Sequence, residues 1–276
     1  MTDSTMPGSA SRAGYRLVMQ KPTGALGWGG VWIGVAVAFV VLWLSARGSQ
    51  ISLENLAKGV PYMWDFISRM MPPNFAFIEK LWRPALESLY VAIWGTILGV
   101  FIALPFCFFA ARNLSPSPLI FQTMRQILNA MRGINEIILA LIFVAAIGLG
   151  PFAGVLALAV HGAGMLGKFF AEAIEDIDPG PIEAFRSAGV GRFKTILFGI
   201  LPQVLPAWLG TIFYRLETNV RQATVLGMVG AGGIGFELVS SMKLFQYQDT
   251  AMCILVILLM VLLADFFSSR VRALIR

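Results

Sequence analysis

Long stretches without a charged side chain divide this sequence. Pro22–Ala46 runs 25 residues, Ser88–Ala111 runs 24 and Thr195–Tyr214 runs 20. Thr250–Ala264 adds 15 and extends on both sides, and Ile137–Gly167 adds 31. A helix needs about 20 apolar residues to cross about 30 Å of hydrocarbon, so each run is read as membrane-spanning. Composition agrees: 57% of residues are hydrophobic and 13% charged, against about 25% charged in a soluble protein. So few charges cannot cover a water-facing surface, which excludes a soluble enzyme. The net charge of +6 would suit nucleic acid only with a densely basic window; no window is dense, and no nucleic-acid partner is expected. Cys107 and Cys253 sit in apolar runs, with no metal or disulfide spacing.

The 31-residue run is too long for one simple span and too short for two. Gly148-Leu149-Gly150-Pro151 interrupts it; Gly suits a helix end and Pro the first turn of the next. Two spans are therefore expected, the first starting near Thr123 with Arg132 and Glu136 inside it, the second from Pro151 to about Ala171. The expected fold is an all-α polytopic membrane protein with about six transmembrane helices. The first span follows a polar, basic stretch and carries a poor cleavage site, Leu44-Ser45-Ala46, so it reads as an uncleaved span. With the N-terminus inside, Lys and Arg number 13 on the cytoplasmic side and 8 outside. This places both termini in the cytoplasm. Residues 1–25 read as a cytoplasmic tail, 26–83 as the first span plus an external interfacial segment, 84–271 as the core and 272–276 as a short cytoplasmic tail. Segment 47–83, with Trp64, Phe66, Phe75, Phe77 and Trp82 among charges, suits an amphipathic helix at the interface. Segment 223–248 is external, Gly-rich and too short to cross.

Two nucleotide-like motifs lack their context. Gly230-Ala231-Gly232-Gly233-Ile234-Gly235 matches G-x-G-x-x-G, but no strand precedes it and Asp249 opens a span. Gly162–Lys168 starts like a phosphate loop, but Phe169 replaces the magnesium-binding hydroxyl. No ATPase is expected in this chain.

The most informative stretch is Asp178-Pro179-Gly180-Pro181-Ile182-Glu183-Ala184-Phe185-Arg186-Ser187-Ala188-Gly189, followed by Leu201-Pro202. The prolines start a helix and Gly189 ends it. Glu183 is expected in its first turn, and Ile182, Phe185 and Ala188 fall on one face at helical spacing. Nothing in the chain is obviously assigned to cover that face. It reads either as a helix on the membrane surface or as a docking helix. This segment resembles the E-A-A loop of ABC importer permeases, with Phe185 in place of the second Ala and Gly199 where Ile is usual. The resemblance narrows to the phosphonate-transporter permeases, whose phosphite relatives share these segments. It rests on Gly133-Ile134-Asn135-Glu136, Gly148–Gly154, Asp178–Pro181, Leu201-Pro202-Gln203 and Glu217–Thr224 continuing to Gly235, over roughly residues 80–270. It implies a type I ABC importer permease core and a homodimer. It also implies two ATP-binding cassette ATPase subunits that hold the ATP and Mg, with no cofactor in this chain, and an external substrate-binding protein. Residues Ile182, Glu183, Ala184, Phe185 and Gly189 would then couple to the ATPase.

Ionisable residues within spans default to functional hypotheses. Arg132 and Glu136 are four apart, so they share a helix face and can pair. They are either a structural pair or, with Asn135, part of the substrate path. Arg215, Glu217, Asn219 and Arg221 are expected to end the fifth span on the outside, Arg215 with Asn219 on one face and Glu217 with Arg221 on another. They are either interfacial anchors or, with Thr224, a weak oxyanion path. His161 reads as a helix–helix contact. Gly227, Gly230, Gly232, Gly233 and Gly235 are the expected outer gate. The function expected is import of phosphonate, phosphite or a related phosphorus oxyanion by alternating access, in a bacterial inner membrane. The rivals are a methionine-like importer permease, an intramembrane enzyme using His161 with Glu136 or Asp265, and a passive channel.

Overall fold

A computed structural model of the chain describes residues 28–50 and 52–275. The expected N-terminal tail, with Arg12, Arg16 and Lys21, lies outside them, as does Arg276. The chain divides into two units, Met1–Tyr62 and Met63–Arg276. In the first, α1 (Trp28–Gly48) is apolar on every side and buries none of its length, the character of a helix made for lipid. Helix α2 (Leu53–Met70), which runs across the boundary between the two units, is amphipathic instead. Leu56, Val60, Met63 and Ile67 recur at helical spacing, while Lys58 pairs with Glu54 at 2.6 Å and Arg69 with Asp65 at 2.9 Å. The segment expected to lie at the interface is thus helical over these residues.

In the second unit a 3-10 turn (Phe75–Phe77) leads into α3 (Ile78–Ala110). Then follow α4 (Pro118–Gly133), α5 (Glu136–Ile147), α6 (Pro151–Glu175), α7 (Pro179–Ser187) and α8 (Arg192–Thr195). A π turn (Ile196–Ile200) joins α8 to α9 (Leu201–Gly227), and α10 (Ile234–Lys243) and α11 (Tyr247–Ile275) complete the chain. Among the described residues five helices are long and apolar enough to span a membrane, and α4 with α5 makes a sixth if the bent pair counts as one. No strand occurs among the described residues.

Helix α6 is the axis of this unit: 61% of its apolar window is buried, more than any other span. The cause is its run of small residues, among them Ala157, Gly162, Ala163, Gly164 and Gly167. Lipid offers no hydrophobic drive between helices, so close approach of small residues replaces it. At Gly164 a Cβ would stand 2.7 Å from the Leu128 carbonyl and the Arg132 nitrogen of α4, so any side chain there would push the two helices apart. At the other end of the core Trp208 stacks on Phe170 at 4.6 Å and donates its indole N–H to the Phe170 carbonyl at 3.3 Å. This satisfies the polar edge of a buried aromatic.

Two expectations about the spans are corrected. The third is not one helix carrying Arg132 and Glu136 on a face. It breaks between Gly133 and Glu136, and its halves bend by 83°. Gly133 is a poor helix former, and Asn135 caps the new helix by accepting from the Ile137 N–H at 2.9 Å. The fifth span does not end near Arg215. Helix α9 continues to Gly227 and puts Arg215 near its middle, because Arg215, Glu217 and Asn219 are covered by protein rather than water. The expected pairing of Arg132 with Glu136 is accordingly not formed.

Candidate functional site

Helix α7 is built by its ends. Asp178 caps it, accepting from the Gly180 N–H at 2.9 Å, and Pro179 fills the first turn. At the far end the Val190 N–H returns to the Phe185 carbonyl at 3.0 Å and the Gly189 N–H to Arg186 at 3.0 Å. Gly189 adopts φ +71° to make that closure. Glu183 is the fifth helical residue, not in the first turn as expected. The apolar face is not left uncovered either. Ile182 packs on the hydrophobic cluster around Phe170 and Ile200, and Phe185 lies 3.2 Å from the Cβ position of Gly199. Those two side chains therefore fasten α7 to its own chain. The free face is formed by Glu183, Ala184, Arg186, Ser187 and Gly189, all exposed.

Gln203, which follows Leu201-Pro202 in the sequence, ties α7 to α9. The Gln203 side-chain oxygen accepts from the Asp178 N–H at 3.1 Å, and its nitrogen donates to the carbonyls of Gly199 at 2.7 Å and Asp178 at 3.5 Å. It thus joins the cap of α7, the π turn and the first turn of α9. The π turn has a local cause: Pro202 lacks the N–H that a regular helix would need there. Glu175, unremarked in the sequence, closes the same end of the bundle. Its carboxylate accepts from the Arg112 backbone N–H at 2.6 Å and from Arg125 Nη2 at 2.9 Å.

Deeper in the bundle, the polar residues of α9 separate by face as their spacing predicts. Arg215 and Asn219 are 1% and 0% exposed. Arg215 packs against Gly162, whose Cβ position is 3.1 Å from Nε, and its Nη1 reaches only the Met165 sulfur at 3.8 Å. Its Nε and Nη2 have no hydrogen-bond partner among the described residues, nor does Asn219 Oδ1. Asn219 Nδ2 donates to Thr96 Oγ1 at 2.8 Å, and Thr96 donates on to the Ala92 carbonyl at 2.7 Å. Thr224 is buried and donates to the Arg221 carbonyl at 2.7 Å. Glu136 lies 3.5 Å from His161 Nε2, and His161 Nδ1 is 3.0 Å from the Ile134 carbonyl. His161 is thus a contact between α6 and the α4–α5 break. Arg132 and Asn135 are exposed.

On the other face of α9, Glu217 sits between two guanidinium groups: Arg272 Nη1 at 3.2 Å and Arg221 Nη2 at 3.8 Å. The charge count puts Arg272 inside and Glu217 and Arg221 outside, and this pairing corrects it, because the three stand at one level. Above them Gly227 to Gly235 fold back on the end of α9. Gly230, Gly232 and Gly233 have φ of +94°, +73° and +76°. The Gly150 N–H donates to the Gly230 carbonyl at 3.0 Å, and the Ile234 N–H to Ser88 Oγ at 3.0 Å. Gly235 lies directly against the Thr224 carbonyl and Gly227 against that of Gly232, leaving no room for a Cβ at either. All five glycines belong to one close-packed corner joining α9, α3 and the start of α6. Among the described residues no cluster of three or more His, Cys, Asp or Glu side chains could hold a metal ion.

Known proteins resemble this sequence and this architecture. The chain is 45% identical over 248 residues to the phosphite transport system permease protein of Stutzerimonas stutzeri, covering 90% of each chain. It is 38% identical over 253 residues to the phosphate-import permease protein of Mycolicibacterium smegmatis, covering 90% of this chain and 46% of that one. Among solved structures, a methionine ABC transporter in inward-facing conformations aligns with a TM-score of 0.63 at 23% identity, over 74% of this chain and 99% of the other. That likeness establishes the type I importer permease fold. Residues 95–276 match the family described as the binding-protein-dependent transport system inner membrane component. The chain therefore belongs to that family and is a multi-pass inner-membrane translocation subunit of an ABC importer, not an enzyme.

Proposed function

We propose that this chain is the permease of an ATP-driven importer for phosphite, a phosphonate or a related small phosphorus oxyanion. The observation that carries this reading is the 45% identity, across 90% of both chains, to a permease named for phosphite transport. The family pairs such a subunit with an ATPase and a substrate-binding protein. In the finer reading two copies of this chain meet two ATPase subunits, with ATP and Mg held there, in contact with membrane lipid. Both termini lie in the cytoplasm. Removing Arg215, Arg221 and Arg272 from the charge count leaves the excess of Lys and Arg on that side.

The exposed face of α7, with Glu183, Ala184 and Gly189, meets the ATPase. Ile182 and Phe185 hold α7 on the bundle so that its movement passes into α9. Arg221, Arg132 and Asn135 face the route directly. Arg215, Asn219, Thr224 and Glu136 form a polar interior that re-sorts its partners as the protomer opens and closes. The corner from Gly227 to Gly235 is the outer gate. The binding protein delivers the anion there, and ATP-driven closure of the partner subunits rocks the two copies between outward-open and inward-open forms.

The test is hydrolysis by the reconstituted complex with binding protein carrying each candidate cargo. Phosphite or a phosphonate should stimulate ATP hydrolysis, and deleting the gene should abolish growth on that compound as sole phosphorus source until the chain is restored. Stimulation by methionine and by no phosphorus oxyanion would overturn the cargo. Uptake into vesicles without ATP would overturn the importer reading in favour of a channel.

A further inference from the structure

We infer that the seam between α6 and α9 is the inward leg of the anion's route, with a weak oxyanion station at Arg272 and an acidic exit beyond it. This rests on the proposed cargo and names residues for the step after the gate. A cavity of about 620 Å3 opens along this seam. It is lined by Phe169 of α6, by Ala207, Gly210, Thr211 and Tyr214 on one face of α9, and by Arg272 of α11. At about 30 Å3 per water it holds a hydrated anion with room to spare. Among the described residues Arg272 is its only charged wall.

The charge on that wall is partial. Glu217 is shared by Arg272 at 3.2 Å and Arg221 at 3.8 Å, so one carboxylate faces two guanidinium groups and the triad keeps one positive charge. Glu217 engages a single guanidinium nitrogen of Arg272 in the resolved contacts, and the fork has five N–H donors. The remaining donors suit the oxygens of a tetrahedral anion. A fully unpaired Arg at this depth would hold a dianion too long. A conducting station must attract enough to admit and little enough to release, and Glu217 sets that balance.

Below, the seam continues into a second cavity that shares Phe169, Ala207 and Thr211 with the first. Its charged walls are Glu172, Asp176 and Asp178, with no Lys or Arg among the lining residues. Glu172 is partly matched by Lys168 at 4.0 Å; Asp176 has no ion pair among the described residues and is exposed. This end adjoins α7 and hence the cytoplasm in the proposed orientation. An anion moving from Arg272 toward α7 passes from attraction to repulsion, each charge acting over a Debye length of about 8 Å at physiological salt. The gradient favours release inward and opposes return.

Proteoliposomes holding the chain with its ATPase, and supplied with its binding protein, give the test. Uptake of radiolabelled phosphite, binding-protein-stimulated ATP hydrolysis and inhibition by phosphite preloaded in the lumen are read together. Arg272→Gln should cut uptake at least tenfold while stimulated hydrolysis stays within twofold, and Arg272→Lys should recover part of it. Glu217→Gln, which unmasks both arginines, should act oppositely on affinity: lumenal phosphite should inhibit at several-fold lower concentration. Asp176→Asn should shift inhibition the same way. Co-purification with the ATPase reports whether each variant assembles. Unchanged lumenal inhibition in assembled Glu217→Gln and Asp176→Asn, or unchanged uptake in Arg272→Gln, overturns the station. An effect of Arg272→Gln that appears only with phosphatidylglycerol and vanishes in phosphatidylcholine vesicles also overturns it, in favour of a lipid headgroup site. If the unaltered complex carries no phosphorus oxyanion, the cargo reading fails instead, a result visible before any variant is made.

Discussion

Arg215 offers a prediction in which stability and function move in opposite directions. Its side chain is 1% exposed, and two of its three nitrogens lack a partner among the described residues. A buried donor left unsatisfied costs about 1–3 kcal/mol, so two cost about 2–6 kcal/mol. Arg215→Met keeps the length of the chain that lies over Gly162 and removes both donors. The variant should unfold later by at least about 2 kcal/mol. At about 2–4 °C per kcal/mol for a domain of this size, Tm in detergent should rise by about 4 °C or more. Uptake should fall because the charge is gone. A second measurement isolates the geometry. The Cβ of Gly162→Ala would stand 3.1 Å from Arg215 Nε, and overpacking of that kind costs about 1 kcal/mol or more. In the Arg215→Met background that penalty should shrink, giving a coupling of about 1 kcal/mol in a double-mutant cycle. The assay is thermal unfolding of the purified chain followed by size-exclusion chromatography. A fall in Tm for Arg215→Met would refute the reasoning, since it would mean that the guanidinium has partners whose loss outweighs its burial.

Three further perturbations follow from the same geometry. Asn135→Ala removes the cap of α5 and should cost about 1 kcal/mol. Hydrogen exchange in the first turn of α5 should accelerate about fivefold, and unchanged exchange there would show that the bend holds without its cap. Gly189→Val places a β-branched residue at φ +71°, a strain of about 1–2 kcal/mol. The α7 end should fray and co-purification with the ATPase should drop at normal membrane insertion, as it should for Glu183→Ala; full recovery of the ATPase would remove α7 from docking. Gln203→Ala cuts the ties between the α7 cap, the π turn and α9 but leaves the exposed face of α7 intact. The ATPase should still bind, while stimulation by loaded binding protein falls about fivefold, as for loss of about 1 kcal/mol of net hydrogen bonding.

What could be read in the sequence was local. The break at Gly150-Pro151 and the start of α7 at Asp178-Pro179 each follow from the conformational limits of one or two residues. The cap at Asn135 was equally local, since Gly-Ile-Asn-Glu holds a poor helix former, a capping side chain and an acid for the first turn. The uncharged run after it masks this signal, because the run and its upstream extension together have the length of one span. What could not be read depends on partners far along the chain. Arg215 is buried because Gly162, fifty-three residues earlier, leaves a slot for it. Glu217 is held because Arg272, fifty-five residues later, reaches it. A charge marks a helix end only where water covers it, and the rule fails where protein covers it instead.

The few charges inside this bundle are therefore not spread evenly between the signs. Glu136 stands beside His161, and Glu217 is shared by Arg272 and Arg221. Arg215 has no carboxylate within salt-bridge distance among the described residues. Around α9 the guanidinium groups of Arg215, Arg221 and Arg272 outnumber the carboxylates of Glu136 and Glu217. In a low-dielectric setting that imbalance is expensive, and a chain selected for stability alone would add an acid or drop an arginine. A permease for a cation would be harmed by it at every step of transit. A permease for a phosphorus oxyanion needs it, provided no single site collects the whole surplus. The surplus here is divided, one part sealed beneath Gly162 and one part diluted by Glu217 at the open seam. The division suits a cargo that must be attracted along the route without being kept.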